Sequence, residues 1–270
     1  MKGRARDIAV VIALAVWAIP VAWQAVTSIR ADTDLAGLTA WPTARVTLQH
    51  YRTVLTDTPL PAALWNSAVV AALTSALAAL VGVPAAYAVA RLPVPGRRGL
   101  MLLVVMGTAF PTIATVAPLY LLIRAIGLRD TWWALIVADA SFALPLTLWL
   151  VAGFVRDVPR DIEEAAAVDG ADRLRTLAFV VVPAIAPGVA AATLLTFLFT
   201  WNEFLFAYTF TATEASRTVP VALALLPGVF EAPWGDIAAA SLLASLPPIV
   251  IVFALQRHLV RGLLGGSLKE

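Results

Sequence analysis

Six stretches of this chain are each apolar enough, and long enough, to cross a lipid bilayer as a helix. Such a helix needs about 20 mainly apolar residues, because roughly 30 Å of hydrocarbon is crossed at about 1.5 Å per residue. The stretches are 8–29, 62–90, 99–123, 131–155, 182–211 and 237–256. Four of them carry no charged residue; Asp139 interrupts the fourth and Glu203 the fifth. Apolar residues make up 61% of the chain and charged ones 13%, against about half and about a quarter in ordinary globular domains. A soluble fold cannot hide that much apolar surface. The fold class this dictates is an all-α membrane protein with six transmembrane helices. A seventh apolar run, 219–230, is too short to span and contains Pro220, Pro227 and Gly228. It reads as a loop helix or a re-entrant segment.

Orientation follows from the placement of Lys and Arg, which concentrate in cytoplasmic loops. One set of loops holds Lys2, Arg4, Arg6, Arg91, Arg97, Arg98, Arg156, Arg160, Arg173, Arg175, Arg257, Arg261 and Lys269. The other holds Arg30, Arg45, Arg52, Arg124, Arg129 and Arg217. The first set is the larger, so both ends are placed inside, N-in and C-in, as an even number of spans requires. The basic start followed by an apolar run raises the alternative of a cleaved signal peptide. The run is longer than the usual apolar core of such a peptide, and Thr27-Ser28-Ile29-Arg30 is a poor small-residue cleavage site. It reads as the first span. No fixed-period repeat and no low-complexity linker occurs, so residues 1–270 read as a single transmembrane domain.

Several chemistries are excluded. There is no cysteine, hence no disulfide, thiolate nucleophile or cysteine-ligated zinc. His50 and His258 are the two histidines, too few for a multi-histidine metal site or a credible Ser/His/acid set, and each reads as a surface residue. A net charge of +2 offers no broad basic face for nucleic acid. No Gly-x-x-x-x-Gly-Lys-Ser/Thr stretch is present, so the chain has no phosphate-cradling loop of its own.

The segment between the fourth and fifth spans, 156–181, is the most informative. Asp157 is placed to cap a helix, Pro159 suits its first turn, and Asp161, Glu163 and Glu164 favour the positive end of its dipole. Ala165, Ala166 and Ala167 propagate it and leave a smooth surface. Gly170 permits the left-handed residue that ends it, and Asp172 caps a second helix running through Leu174, Leu177 and Val181 towards Pro183. The expectation is a helix–turn–helix on the cytoplasmic face, suited either to docking another protein or to linking two spans along the interface. The outer segment 30–61, with Pro42, Pro59 and Pro61, is expected to form a small cap or a short amphipathic helix.

Glu164-Ala165-Ala166, then Asp169-Gly170-Ala171 after two residues, then Pro183, resembles the EAA loop of permease subunits in bacterial ATP-binding-cassette importers. Asn66-Ser67, the stretch from Ala85 to Arg91, Pro95-Gly96-Arg97, Phe110-Pro111, Trp201-Asn202-Glu203-Phe204, Gln256-Arg257 and Val260-Arg261-Gly262-Leu263 are similar to the carbohydrate branch. Together they resemble the smaller six-span permease of the maltose-type family over roughly residues 8–268. Glu203 stands where Asp is commoner in that family, and a glycine sometimes seen after the EAA core is absent. The resemblance implies a type I importer permease fold, a non-catalytic subunit in the bacterial inner membrane. It also implies a homologous second permease completing the pore, two copies of an ATPase carrying ATP and Mg, and an extracytoplasmic solute-binding protein delivering a carbohydrate. It assigns Glu163, Glu164, Ala165, Ala166, Asp169, Gly170 and Ala171 to ATPase coupling. The 213–236 loop matches a segment that in such importers reaches towards the binding protein.

Asp139 and Glu203 are the acids inside the expected spans. An ionised acid near a helix centre costs about 2.5–3.5 kcal/mol on insertion scales, so both belong against a partner helix or a wet cavity. One reading makes Asn66, Asp139, Trp201, Asn202 and Glu203 a polar pathway for a hydroxyl-rich solute, with Trp201 stacking on a sugar ring. The other makes the acids hydrogen-bond partners between helices, for instance with Asn66 or Asn202. Among the prolines within spans, Pro183 and Pro187 are the hinge candidates, because they join the elbow to the fifth span. Two competing functions are an autonomous proton-coupled carrier titrating Asp139 or Glu203, and a permease for a non-sugar solute such as a glycerol phosphate ester. Six spans and an acid-poor core disfavour the first; the lack of basic residues near span centres disfavours the second.

Overall fold

The computed structural model describes residues 2–35, 45–226 and 232–267, with side chains for 6–35, 45–226 and 232–256. The helices in chain order are α1 Lys2–Thr27, α2 Asp32–Leu35, α3 Gln49–Thr56, α4 Leu60–Arg91, α5 Arg97–Thr108, α6 Thr112–Ala125 and α7 Trp132–Asp157. They continue with α8 Arg160–Val168, α9 Arg173–Ala184, α10 Ala186–Trp201, α11 Leu205–Phe210, α12 Val219–Leu225 and α13 Trp234–Ser267. Among the described residues four helices can cross a bilayer unbroken: Arg6–Thr27, Leu60–Arg91, Trp132–Asp157 and Trp234–Gln256.

The third and fifth apolar stretches are not single rods, and here the sequence expectation is corrected. Stretch 99–123 divides into α5 and α6, which meet at 94°. Pro111 has no backbone N–H and disfavours helical geometry at Phe110, so the chain turns there and restarts with Pro111 at the N-cap of α6. Stretch 182–211 begins inside α9, bends by 81° into α10, and stops at Trp201 before resuming as α11. The bend falls at Ile185, between Pro183 and Pro187, with Pro187 in the first turn of α10 where a missing donor costs nothing. Thr176–Val181 within α9 is wound as a π-helix.

The core is built on α4 and α7, which run side by side in the same direction, with α10 laid across them. In a bilayer, helices associate through close packing of small residues, because lipid is as apolar as leucine. Ala86 and Ala90 of α4 meet Val151, Ala152 and Val155 of α7, and Leu177, Val181 and Ile185 close this cluster from the elbow side. Gly82 gives room to the Thr147 side chain, and Thr147 and Thr196 share a 3.1 Å hydroxyl contact between α7 and α10. Towards the outer face, Leu135, Ile136 and Ala138 pack with Phe206, Ala207 and Phe210. Helix α1 stands apart: over Arg6–Thr27 none of its most apolar window is buried within the chain, and Trp17 is 82% exposed.

Gly188 of α10 lies directly against the ring of Phe154, which any Cβ there would overlap. Gly188→Val is therefore expected to destabilise the chain by about 1–3 kcal/mol, the usual cost of overpacking. Gly153→Ala, where a Cβ meets open space, should stay within about 0.5 kcal/mol of the parent. Unfolding in detergent checks both, and an unchanged Gly188→Val would contradict the close α7–α10 contact.

Candidate functional site

The inner-face elbow is made of α8, a left-handed turn and α9. Asp157 does not cap α8 as the spacing predicts; it is the last residue of α7, and Pro159 stands at the N-cap position without a side-chain bond. The chain leaves α7 through Val158, whose extended backbone carries it away from the bundle. The other expectations of local structure hold. Gly170 has φ +85°, Ala171 N–H closes onto the Ala166 carbonyl at 2.9 Å, and Asp172 Oδ1 accepts from Arg175 N–H at 2.8 Å.

The elbow has two unlike sides. Glu163 points inward: its Oε1 accepts from Arg91 Nε at 2.5 Å and its Oε2 from the Tyr87 hydroxyl at 3.0 Å. Arg91 also donates to the Val155 and Val158 carbonyls at 2.6 and 2.5 Å. The Arg91 and Glu163 side chains are only 9% and 13% exposed. Glu163 is thus engaged by its own chain. On the opposite side Glu164, Ala165, Asp169 and Gly170 are exposed, with Ala166 and Ala171 half-buried. Val168, Leu174 and Phe179 extend this surface with large apolar side chains, 76–89% exposed. Bare apolar side chains of this size mark a surface that meets either a protein partner or the membrane.

The expected pathway residues do not converge on one lining. Asn66 is buried, accepts from Trp132 Nε1 at 3.2 Å and donates to the Glu214 and Arg217 carbonyls at 2.9 and 2.8 Å. Trp201 is 4% exposed and stacked on Phe197 at 5.6 Å, so its faces are covered within the chain. Asn202 is exposed, with its amide donating to the Leu198 carbonyl at 2.7 Å. Glu203 caps α11, accepting from Phe206 N–H at 2.8 Å and Ala207 N–H at 2.9 Å. It answers the backbone donors that the break after Trp201 sets free, as a helix inside hydrocarbon requires. Asp139 is 1% exposed and its Oδ1 has no hydrogen-bond partner among the described residues. The Thr74 and Thr200 hydroxyls are likewise unpartnered. The register that sets Asn66 beside Trp132 and Gly82 beside Thr147 brings Thr74 level with Asp139.

Two acids missed by sequence reasoning organise the outer face. Asp130 has φ +63° and collects the 212–216 turn. Its Oδ1 accepts from Ala212 and Thr213 N–H at 2.8 and 3.0 Å and from the Ser216 hydroxyl, and its Oδ2 from the Thr213 hydroxyl at 2.8 Å. Burial pushes its carboxyl up, but these donors outweigh burial and hold it well below the usual carboxylate range. Asp236, at the start of α13, is hydrogen-bonded to His50 Nδ1 at 2.7 Å, while His50 Nε2 contacts the Arg30 carbonyl at 2.8 Å. His50 is 3% exposed, which corrects its reading as a surface residue. His258 lies outside the described side chains. A carbonyl and a carboxylate only accept, so the imidazolium, with both ring nitrogens donating, is the form that satisfies both partners. Burial alone would lower its pKa; the bonds to Asp236 and Arg30 and the charges of Asp32 and Asp236 raise it above 6.5 instead. The signal available in the sequence was the pairing of a lone outer histidine with an acid opening the sixth span. The 186-residue separation hides it.

The fold is a polytopic helical bundle with a helix–turn–helix elbow between its fourth and fifth apolar stretches. The chain belongs to the family described as binding-protein-dependent transport system inner membrane component, which its residues 78–265 match. It is 43% identical over 226 residues to the trehalose transport system permease protein SugB of Mycobacterium tuberculosis, covering 83% of this chain and 82% of that one. It is 38% identical to the sulfoquinovosyl glycerol transport system permease protein SmoH of Agrobacterium fabrum, covering 98% and 93%. It is 36% identical to the trehalose/maltose transport system permease protein MalG of Thermococcus litoralis, covering 93% and 91%. Among solved structures, a bacterial ABC transporter for the acidic polysaccharide alginate contains a chain that superposes with TM-score 0.80 at 20% identity, over 95% of this chain and 97% of that one. The MetNI methionine ABC transporter in inward-facing form gives 0.62 at 16% identity, over 75% and 95%. The fold is that of an ABC-importer membrane subunit.

Because the folded His50 pKa is raised, the His50 contribution is complete below about pH 6.5 and is lost as pH rises through the folded value. Thermal stability of the parent should therefore fall as pH rises above 6.5. In His50→Gln that part of the slope should vanish. Parallel melts across this range decide it; identical slopes would show that His50 does not titrate with folding.

Proposed function

We propose that this chain forms half of the translocation pore of an ATP-driven, binding-protein-dependent importer of a carbohydrate, most simply an oligosaccharide. The observation that carries the reading is the division of the elbow into an inner side gripped by the chain itself and an outer side left bare and apolar. Val168 and Leu174 are bare in the same short hairpin as the exposed Glu164, Asp169 and Asp172, a mixture suited to a protein partner rather than to lipid alone. The partner that fits is a cytoplasmic ATPase, which supplies ATP and Mg; this chain has no phosphate-cradling loop and stays non-catalytic. The trehalose, trehalose/maltose and sulfoquinovosyl glycerol permeases among its relatives support a glycoside as cargo. A homologous permease completes the pore, covering the apolar faces that α5 and α6 leave open, and a solute-binding protein docks on the outer face.

In this reading residues 1–270 act as one transmembrane domain with both ends inside. ATP binding closes the ATPases, which push on Glu164, Ala165, Ala166, Asp169, Gly170 and Ala171. A ligand drives a conformational change only through contacts that differ between states, so the elbow must be held in both. The 81° bend between Pro183 and Pro187 supplies a hinge into α10. The pathway runs past Asn202, the exposed member of the polar set, where the fifth span breaks. Glu203 fixes that break, and Asn66, Asp139 and Trp201 support it from behind. The outer turn 212–218, pinned by Asp130, Asn66 and Ser67, presents α12 to the binding protein.

Gly170→Pro cannot adopt φ +85°, because proline is locked near −65°, and is expected to cut uptake at least about tenfold, within the ordinary range of coupling energies. Glu164→Arg with Asp169→Arg reverses the charge of the bare side and should do the same. Both proteins should still insert in the membrane at parental levels. Uptake of labelled sugar by cells whose membranes are probed for the chain checks this, and parental uptake by either variant would remove the elbow from coupling.

A further inference from the structure

The elbow is a lever with little apolar grip. No residue of α8 is buried, so packing alone would let the helix slide or roll under load. Among the described residues, its polar attachment to the spans runs through Glu163, and both partners of Glu163 stand on the last turn and a half of α4. Arg91 does more than pair with it. The same guanidinium takes the Val155 carbonyl, which otherwise accepts only the 3.3 Å cap bond from Val158 N–H, and the Val158 carbonyl in the link to α8. One planar head therefore ties α4, α7 and α8 at a single point, a task for which the fixed fork of arginine is suited. The head is nearly buried, and parting it from Glu163 would leave two unpaired charges out of water, which is strongly unfavourable. The joint is thus built to survive displacement.

The alternative route from the elbow, through α9, contains a π-helical stretch and the 81° bend at Ile185. Such a path bends under load, whereas α4 and α7 pack tightly just beyond the joint, at Ala86, Ala90, Val151, Ala152 and Val155. Resting on the importer reading, we propose that Arg91 is the positioning residue that delivers movement of α8 to spans two and four as one rigid unit. The bend between Pro183 and Pro187 then lets span five follow. Arg91 touches neither nucleotide nor cargo; it acts through Glu163 and the end of α7.

The test is made in the full assembly, reconstituted with its companion permease, ATPase and binding protein, by measuring sugar imported per ATP hydrolysed. Arg91→Gln is expected to lower that ratio about tenfold, and Arg91→Lys, which keeps the charge but lacks the fork, to give an intermediate value. Because the chain has no cysteine of its own, Arg91→Cys with Glu163→Cys offers a unique pair of thiols. That double variant should be uncoupled, and a short bis-maleimide joining the two thiols should restore the ratio to within about twofold of the parent. A merely structural role would lower import and ATP hydrolysis together and leave their ratio unchanged. An unchanged ratio in Arg91→Gln, or a linked double variant that stays uncoupled, overturns the proposal. Failure of the parent chain to co-purify with any ATPase would instead overturn the importer reading beneath it, so the two failures are distinct.

Discussion

Hydrocarbon offers no hydrogen bonds to a peptide group, and every irregularity in this structure is shaped by that fact. Four spans obey it by remaining continuous helices. Where a span breaks, a side chain has to take over. Glu203 is the clearest case: the chain stops after Trp201, and the carboxylate accepts the two backbone donors that restart the helix at Phe206 and Ala207. At the other break, Pro111 has no donor to satisfy. A charged residue in the fifth span and a proline in the third are therefore two solutions to one problem.

The same economy governs the two faces. At the inner face Arg91 serves acceptors from two elements besides Glu163; at the outer face Asp130 gathers donors from the 212–216 turn, and His50 joins Arg30 to Asp236. Each attachment links segments far apart in sequence by a charged group at the membrane boundary, where the group is partly shielded and its bonds are stronger than in water. Between them lies a body packed by small residues. The result is a stiff pair, α4 and α7, with an outer platform at one end and an elbow at the other, and a bent fifth span beside it. That distribution of stiffness is what a gate worked from one side needs.

Much of this was legible in the chain itself. Apolar run length gives the spans, the Lys and Arg bias gives their direction, and Gly170 with Asp172 gives the turn of the elbow, because each depends on local chemistry. Glu163 and Glu164, adjacent and identical in type, could not be told apart from spacing alone; the phase of α8 against α4 decides that one faces Arg91 and the other water. Asp157 misled because α7 runs two residues further than its apolar stretch. Trp201, an aromatic beside polar residues and so read as a stacking surface for a sugar, is nearly buried and stacked on Phe197, a packing that no local pattern announces. His50 and Asp130 were missed since their partners lie in other outer segments, and no periodicity links them.

The central claim is that movement enters this subunit from a separate nucleotide-hydrolysing partner at its inner-face elbow. The most direct measurement compares uptake of labelled sugar into proteoliposomes holding this chain alone with uptake into vesicles holding the complete assembly, with and without enclosed ATP and with an imposed proton gradient. Uptake confined to the complete assembly, dependent on ATP and indifferent to the gradient, is the predicted result. Accumulation by the lone chain, driven by the proton gradient and collapsed by a protonophore, would contradict it.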